Sequence, residues 1–327
     1  MIGPPLTLLR CAGIVLGPIR WGWKPSMLHA TAIAADDQAN SAADPLAVIA
    51  SIVDQPDSNL DYLEAKLAFD AAIDASLDGR FVRNEIDRLC KAALGLAGGD
   101  QRSWARLRAL RILLYEPGSW NEHKPFAYDQ GDPDGKFIPN KLLHNYLKTR
   151  RGQCVSMPAL FLILGDRLGL DVALVAAPEH LLVRFTDGNG DGGNIETTSG
   201  GHPARDSWVR EQFRIGDRAI ASGIYLRPLS KREEIAMLAG TIAEHLFEQR
   251  RFEEVLPLAK MILKHHPLYA EMIVLQASAS GAIADALRRK CPPFAMPPVM
   301  RAQWLGLCRQ NADLFARAES LGWAPFE

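Results

Sequence analysis

Three side chains whose types could serve as nucleophile, base and orienting acid are spaced along the middle of this chain: Cys154, His180 and Glu196. A cysteine becomes a nucleophile when its surroundings lower its pKa, and a helix N-terminus beside an imidazole does this. Cys154 follows Gly152 and precedes Ser156 and Pro158, where an intensely apolar run, PALFLILGDRL, begins. Proline is favoured in the first turn of a helix, where its missing N–H costs nothing. The pattern therefore predicts a buried helix over Pro158–Leu168 with Cys154 at its positive end. His180 comes just after Pro178, at the head of a strand-like segment from Leu181 to Phe185, and Glu196 sits on the next strand candidate, across a hairpin. In register, its carboxylate would accept from the imidazole and complete a nucleophile, base and orienter. Spacing alone favours a plainer arrangement, in which a buried cysteine, a surface histidine and a surface glutamate never meet.

Composition narrows the class of protein that surrounds these residues. The chain has 327 residues, enough for one large domain and a smaller helical one, with 48% apolar and 23% charged residues, as in ordinary soluble globular proteins. Its 37 Lys and Arg nearly balance 38 Asp and Glu, so no bulk charge draws it to nucleic acid or anionic lipid. Five cysteines, widely spaced and without a C-x-x-C pair, argue against a disulfide framework and a structural zinc site. Cys11, Cys90, Cys291 and Cys308 read as small hydrophobes. Residues 1–44 read as a flexible or signal-like segment: Leu6–Ile19 is apolar but too short and broken to span a bilayer, and Ala32-Ile33-Ala34 resembles a small-residue cleavage site. No charged start precedes it, so export to the periplasm and a cytoplasmic location both stay open.

The elements that must position the three residues follow from periodicity. Residues 45–116 carry helical stripes, Leu60 to Ile73, Phe81 to Ala93 and Trp104 to Leu114, with breaks at Asp78-Gly79, Gly98-Gly99 and Pro117-Gly118. Residues 117–140 are irregular and contain four prolines, and their aromatics, Trp120, Phe126, Tyr128 and Phe137, predict an ordered wall beside a site. A short helix over Lys141–Lys148, the buried helix, and strands at Val172–Ala176, Leu181–Phe185 and Asn194–Thr197 make the segment 117–228 an α+β core. Residues 229–327 return to helix. Within them, residues 236–267 resemble one tetratricopeptide unit, although Val255 and Ile262 stand where that repeat prefers alanine. A single unit predicts an appendage packed on the core.

The stretch from Asn145 to Gly201 carries a more specific signal. Arg150-Arg151-Gly152-x-Cys154, then Leu168-Gly169-Leu170, then His180-Leu181-Leu182-Val183 resembles the bacterial SirB-type branch of the transglutaminase-like superfamily, as do residues 61–91, 111–128 and 206–232. The resemblance implies a papain-like fold with a Cys-His-Asp/Glu triad that maps onto Cys154, His180 and Glu196, and thioester chemistry at amides of peptide or protein substrates. It departs from the common pattern in having glutamate where aspartate is usual. Many SirB-type relatives also lack the cysteine, which leaves open a non-catalytic scaffold that binds a protein partner through the cleft and the C-terminal helices. An oxyanion hole needs two donors: the Cys154 main-chain N–H, and either the Gln153 side chain or the Trp120 indole, which alternatively only packs in the core. Arg150 and Arg151 either hold an acidic or C-terminal group of a substrate or bind loop carbonyls. His202 either lines the cleft or is a loop residue.

Other signals carry less. Asp187, Asn189, Asp191 and Gly192 match the first half of a calcium loop, but Thr198 stands where the bidentate glutamate belongs, and the segment reads as a hairpin turn. His265-His266 lacks a third metal ligand. No phosphate-binding glycine loop and no Gly-x-Ser-x-Gly occur. No cofactor, metal, nucleic acid or integral membrane segment is expected.

Overall fold

A computed structural model describes residues 44–325. The signal-like reading of the first 44 residues, and Cys11 with it, falls outside the described residues but for Asp44.

Four helices come first: α1 (Pro45–Val53), α2 (Tyr62–Ile73), α3 (Gly79–Leu96) and α4 (Ser103–Tyr115). Aspartates start the first three. Asp44, Asp61 and Asp78 each accept a main-chain N–H of the first turn with the side chain, at Leu46, Glu64 and Phe81, which satisfies donors that the helix itself leaves free. Gly98 and Gly99, both at positive φ (62° and 83°), end the turn after α3. The irregular stretch that follows contributes a short strand, β1 (Ala127–Tyr128), and then α5 (Leu143–Thr149) leads to β2 (Arg151–Gly152), which pairs with β1 in parallel.

Next comes α6 (Ser156–Arg167), the apolar helix foreseen from the sequence, starting two residues earlier. Met157 and Ala159 through Leu164 are each at most 1% exposed. A helix apolar all round must be covered all round. Helices α2 to α5 cover one side, and the other packs on the sheet β3 (Asp171–Ala177), β4 (His180–Thr186), β5 (Gly192–Glu196) and β6 (His202–Ala204), antiparallel in that order. Gly165 lets helix and sheet close up: a Cβ there would meet Val172 Cγ2 at 2.7 Å. Three of these strands were legible as alternating or β-branched runs. The fourth, β6, was not, because His202-Pro203-Ala204 has no strand pattern of its own and is recruited by pairing with β5, His202 opposite Glu196.

Two short helices, α7 (Asp206–Gln212) and α8 (Asp217–Ser222), precede the C-terminal array α9 (Lys231–Glu248), α10 (Phe252–His265), α11 (Ala270–Lys290) and α12 (Pro298–Ser320). Ser230 and Glu233 form a capping box that starts α9. These helices do more than append to the core. Helix α9 packs on α2 and β3, α10 on α1 and α9, and one apolar cluster runs without a break from Ile49 to Ala318. Buried polar contacts tie the layers together. Glu234 of α9 accepts the Leu174 N–H of β3 at 2.6 Å and the Tyr62 hydroxyl of α2. Lys66 of α2 pairs with Asp70 and donates to the Lys141 carbonyl, while Asp70 accepts the Leu143 N–H at 2.7 Å, anchoring the start of α5. No helix among the described residues is long and apolar enough to cross a membrane.

Burial, opposed in part by the Tyr62 and Leu174 hydrogen bonds, pushes the Glu234 carboxyl up to about 7 from 4.5. A carboxyl raised on folding stabilises fully below its unfolded value and loses that contribution as pH climbs through the folded value. Wild-type stability, measured by urea unfolding, should therefore fall by up to about 3 kcal/mol between pH 4.5 and 7 from this group. Glu234→Gln should flatten that part of the curve, and an unchanged pH dependence would contradict the assignment.

Candidate active site

Cys154 stands just ahead of the first turn of α6, in a loop held by the helix's own first residue. The Ser156 hydroxyl accepts the Gln153 N–H at 3.0 Å and donates to the Asn140 carbonyl at 2.6 Å. Gly152, two residues before the cysteine, is required by space: a Cβ there would lie 2.5 Å from the Tyr146 ring and 2.6 Å from Ser156 Oγ. Thus the bend that exposes the thiol is set by close packing against α5 and α6. The thiol lies 3.9 Å from the Glu179 carbonyl.

His180 reaches the same point from the sheet. Ala177 and His180 face each other in register, so Pro178 and Glu179 form a two-residue turn and His180 opens β4. Its Nε2 lies 2.7 Å from Glu196 Oε2, and the Cys154 side chain is near enough to act on its ring. The imidazole stacks on Phe213 at 4.9 Å between centroids and 15° between planes. Burial alone would strip its proton; the hydrogen bonds and charges of Cys154 and Glu196 outweigh that and raise it to about 9. Glu196, 4% exposed, takes the opposite course. Burial pushes its carboxyl up, but His180 and the Thr198 hydroxyl (2.6 Å) and N–H (3.0 Å) hold it below the ordinary value. Thr198 also fixes the carboxylate rotamer, since it binds Oε1 while Oε2 serves the histidine.

Cys154 and His180 border a cleft of about 300 Å³, with Glu196 behind the histidine. Its walls come from four parts of the chain. The irregular wall supplies Tyr128, Pro133, Asp134 and Gly135; the hairpin supplies Ala176 to Leu181; α9 supplies Met237, Thr241 and Glu244; α11 and the residue before it supply Glu271 and Tyr269. The wall is rigid for a definite reason: the Asp132 carboxylate accepts the Lys136 and Phe137 N–H groups and the Asn140 amide, which also donates to Asp129. Lys141, at its end, pairs with Glu244 of α9 at 3.2 Å in a mostly buried contact.

The other expected site residues take different places. Gln153 lines the cleft and is fully buried, and its amide nitrogen donates to the Asp132 carbonyl at 2.5 Å and the Asp129 carbonyl at 3.5 Å, bracing the wall. Trp120 is not among the cleft residues. Its ring folds over Gly118, where a Cβ would meet it at 2.3 Å, and it packs on the core with a buried, unpartnered indole N–H. Arg150 binds the Asn121 and Lys124 carbonyls, the loop-binding role of the two foreseen, and the exposed Arg151 lies outside the cleft as well. His202 lies in a neighbouring depression shared with Glu196. The Cys154 main-chain N–H has no partner among the described residues. Sequence reasoning missed Phe213, Thr198, Glu179 and Glu271. Thr198 had a local signal, two residues from an acid it could cap; the others meet the site only through tertiary packing.

The set-aside signals resolve into local structure. Asp187 accepts the Asn189 and Asp191 N–H groups and the Trp104 indole, closing the β4–β5 turn. His265 and His266 approach different carboxylates, Asp54 and Glu233.

Residues 80–240 match the family described as the transglutaminase-like superfamily. A UPF0162 protein of Pasteurella multocida is 31% identical over 104 residues, covering 32% of this chain and 36% of the relative, so that match spans about a third of the relative's length. A UPF0162 protein of Buchnera aphidicola is 24% identical over 215 residues, 64% of this chain and 76% of the relative. Protein SirB1 of Salmonella typhimurium is 25% identical over 191 residues, 58% of this chain and 67% of the relative. No solved structure matches the chain significantly.

Two outcomes test this geometry. Glu196→Gln should lower the His180 midpoint from about 9, with the contribution of Cys154 left in place, read from ring-proton shifts by NMR; an unchanged midpoint would show that Glu196 does not help hold the proton. Gly152→Ala should destabilise the protein by about 1–3 kcal/mol in urea unfolding, as overpacking does.

Proposed function

We propose, since residues 80–240 belong to the transglutaminase-like superfamily and the relatives are of the SirB type, that this chain is a cysteine-dependent amide hydrolase or acyltransferase acting on peptide-like substrates through a thioester. One observation supports the reading: Cys154 and His180 line the same cleft, and His180 Nε2 lies 2.7 Å from Glu196 Oε2.

The chemistry follows from that arrangement. Cys154 Sγ attacks the substrate carbonyl carbon as a thiolate whose proton already rests on the His180 imidazolium, and Glu196 orients the ring and stabilises that charge. The carbonyl oxygen gains the electron pair and is met by the Cys154 N–H, which needs no internal bond broken to serve. Collapse expels the amine, which takes the proton from His180, and leaves the acyl group on sulfur. Water then gives hydrolysis, or a second amine gives transfer, with His180 removing the incoming proton and Cys154 leaving as the thiolate when the thioester breaks. The raised imidazole suits the acid step, because it still carries a proton at neutral pH when the amine departs.

Alkylation by iodoacetamide, followed by intact mass with Cys154→Ala as the blank, tests the site without a known substrate. At pH 7 Cys154 should react faster than free cysteine, and His180→Ala should slow it by about tenfold or more. A wild-type rate no higher than that of free cysteine, unchanged in His180→Ala, would end the reading.

A further inference from the structure

Glu271 is a carboxylate from the C-terminal helices that reaches the site from the far side of the cleft. It is the second residue of α11, lines the cleft and is 8% exposed. Its Oε1 accepts the Tyr225 hydroxyl at 2.7 Å, and its carboxylate also accepts the main-chain N–H of Glu179. Glu179 is the second residue of the two-residue turn between β3 and β4, and it sits at φ 56°, a left-handed conformation that a non-glycine residue holds at a cost on the order of 1 kcal/mol. Such a conformation persists only where its surroundings enforce it. The same residue presents its carbonyl to the Cys154 thiol, and the next residue is His180.

We infer that Glu271 is a positioning residue for the proposed site: by gripping the Glu179 N–H it fixes the strained turn that sets both the Glu179 carbonyl beside Cys154 and the His180 ring at the head of β4. The inference rests on the cysteine–histidine reading above. It makes the helices beyond residue 229 part of the reactive apparatus, because Glu271 is carried by α11. Tyr225 acts one step further back, orienting the Glu271 carboxylate.

The test uses the full chain and two substitutions of similar size. Glu271→Met fills the same space but accepts no hydrogen bond, whereas Glu271→Gln keeps an acceptor and removes only the charge. Cys154 alkylation by iodoacetamide at pH 7 should slow about tenfold in Glu271→Met and recover most of that loss in Glu271→Gln, a split expected if the hydrogen bond matters. Amide hydrogen exchange across residues 177–181 should quicken in Glu271→Met alone. If Glu271→Met does not fold, Tyr225→Phe should give the same two changes in smaller measure. Unchanged alkylation and exchange in Glu271→Met, or in Tyr225→Phe when that variant stands in, would overturn the inference, as would equal losses in Met and Gln. Its failure is separable from that of the reading beneath it: a wild-type cysteine that depends on His180 but not on Glu271 refutes only the grip, whereas one that depends on neither refutes the site.

Discussion

The burial of α6 is the constraint from which the remaining architecture follows. A helix whose side chains from Met157 to Leu164 are nearly all sealed from water has no face to offer solvent. Four helices must close one side and a sheet the other. Only the ends are left, and at the N-terminal end the covering layers part to form the cleft. The chain thus places Cys154, just ahead of a helix, where the packing is incomplete and the base beneath it is buried.

Around that opening, polar contacts work in opposed pairs. Burial pulls His180 toward neutrality and Glu196 toward protonation, and each cancels the effect on the other through a 2.7 Å contact. The pair therefore stays charged where either residue alone would not. Thr198 and Phe213 restrict what remains, the first by binding the free carboxylate oxygen and the second by flattening the imidazole against an aromatic face. Further out, Glu234, Asp70 and Lys66 repeat the device at layer boundaries, each buried group finding partners on a neighbouring element.

Much of this was legible in the residues. The apolar run after Cys154 points to a buried helix, because the unbroken stretch from Pro158 to Gly165 is long enough for two turns and offers no polar face. Asp44, Asp61 and Asp78 mark helix starts through local hydrogen bonds. Val172–Ala176 and Leu181–Phe185 are strands by β-branching and alternation. These are short-range effects, and sequence order contains them. Strand β6 and the roles of Gln153, Trp120 and Arg150 were not legible in the same way: their side chains had several partners in reach on paper, and neighbours distant in sequence chose among them.

The sequence by itself thus determined which residues can do chemistry, that the cysteine heads a helix, and that histidine and glutamate lie on adjacent strands. Only the tertiary structure decided that the three converge, since convergence depends on a hairpin register and on how the sheet lies over α6. It also decided that the far helices close the cleft. Lys141 meets Glu244, and Glu271 meets the turn before His180, across separations of about a hundred residues. Such contacts leave no periodicity and no motif, because packing rather than local propensity selects them.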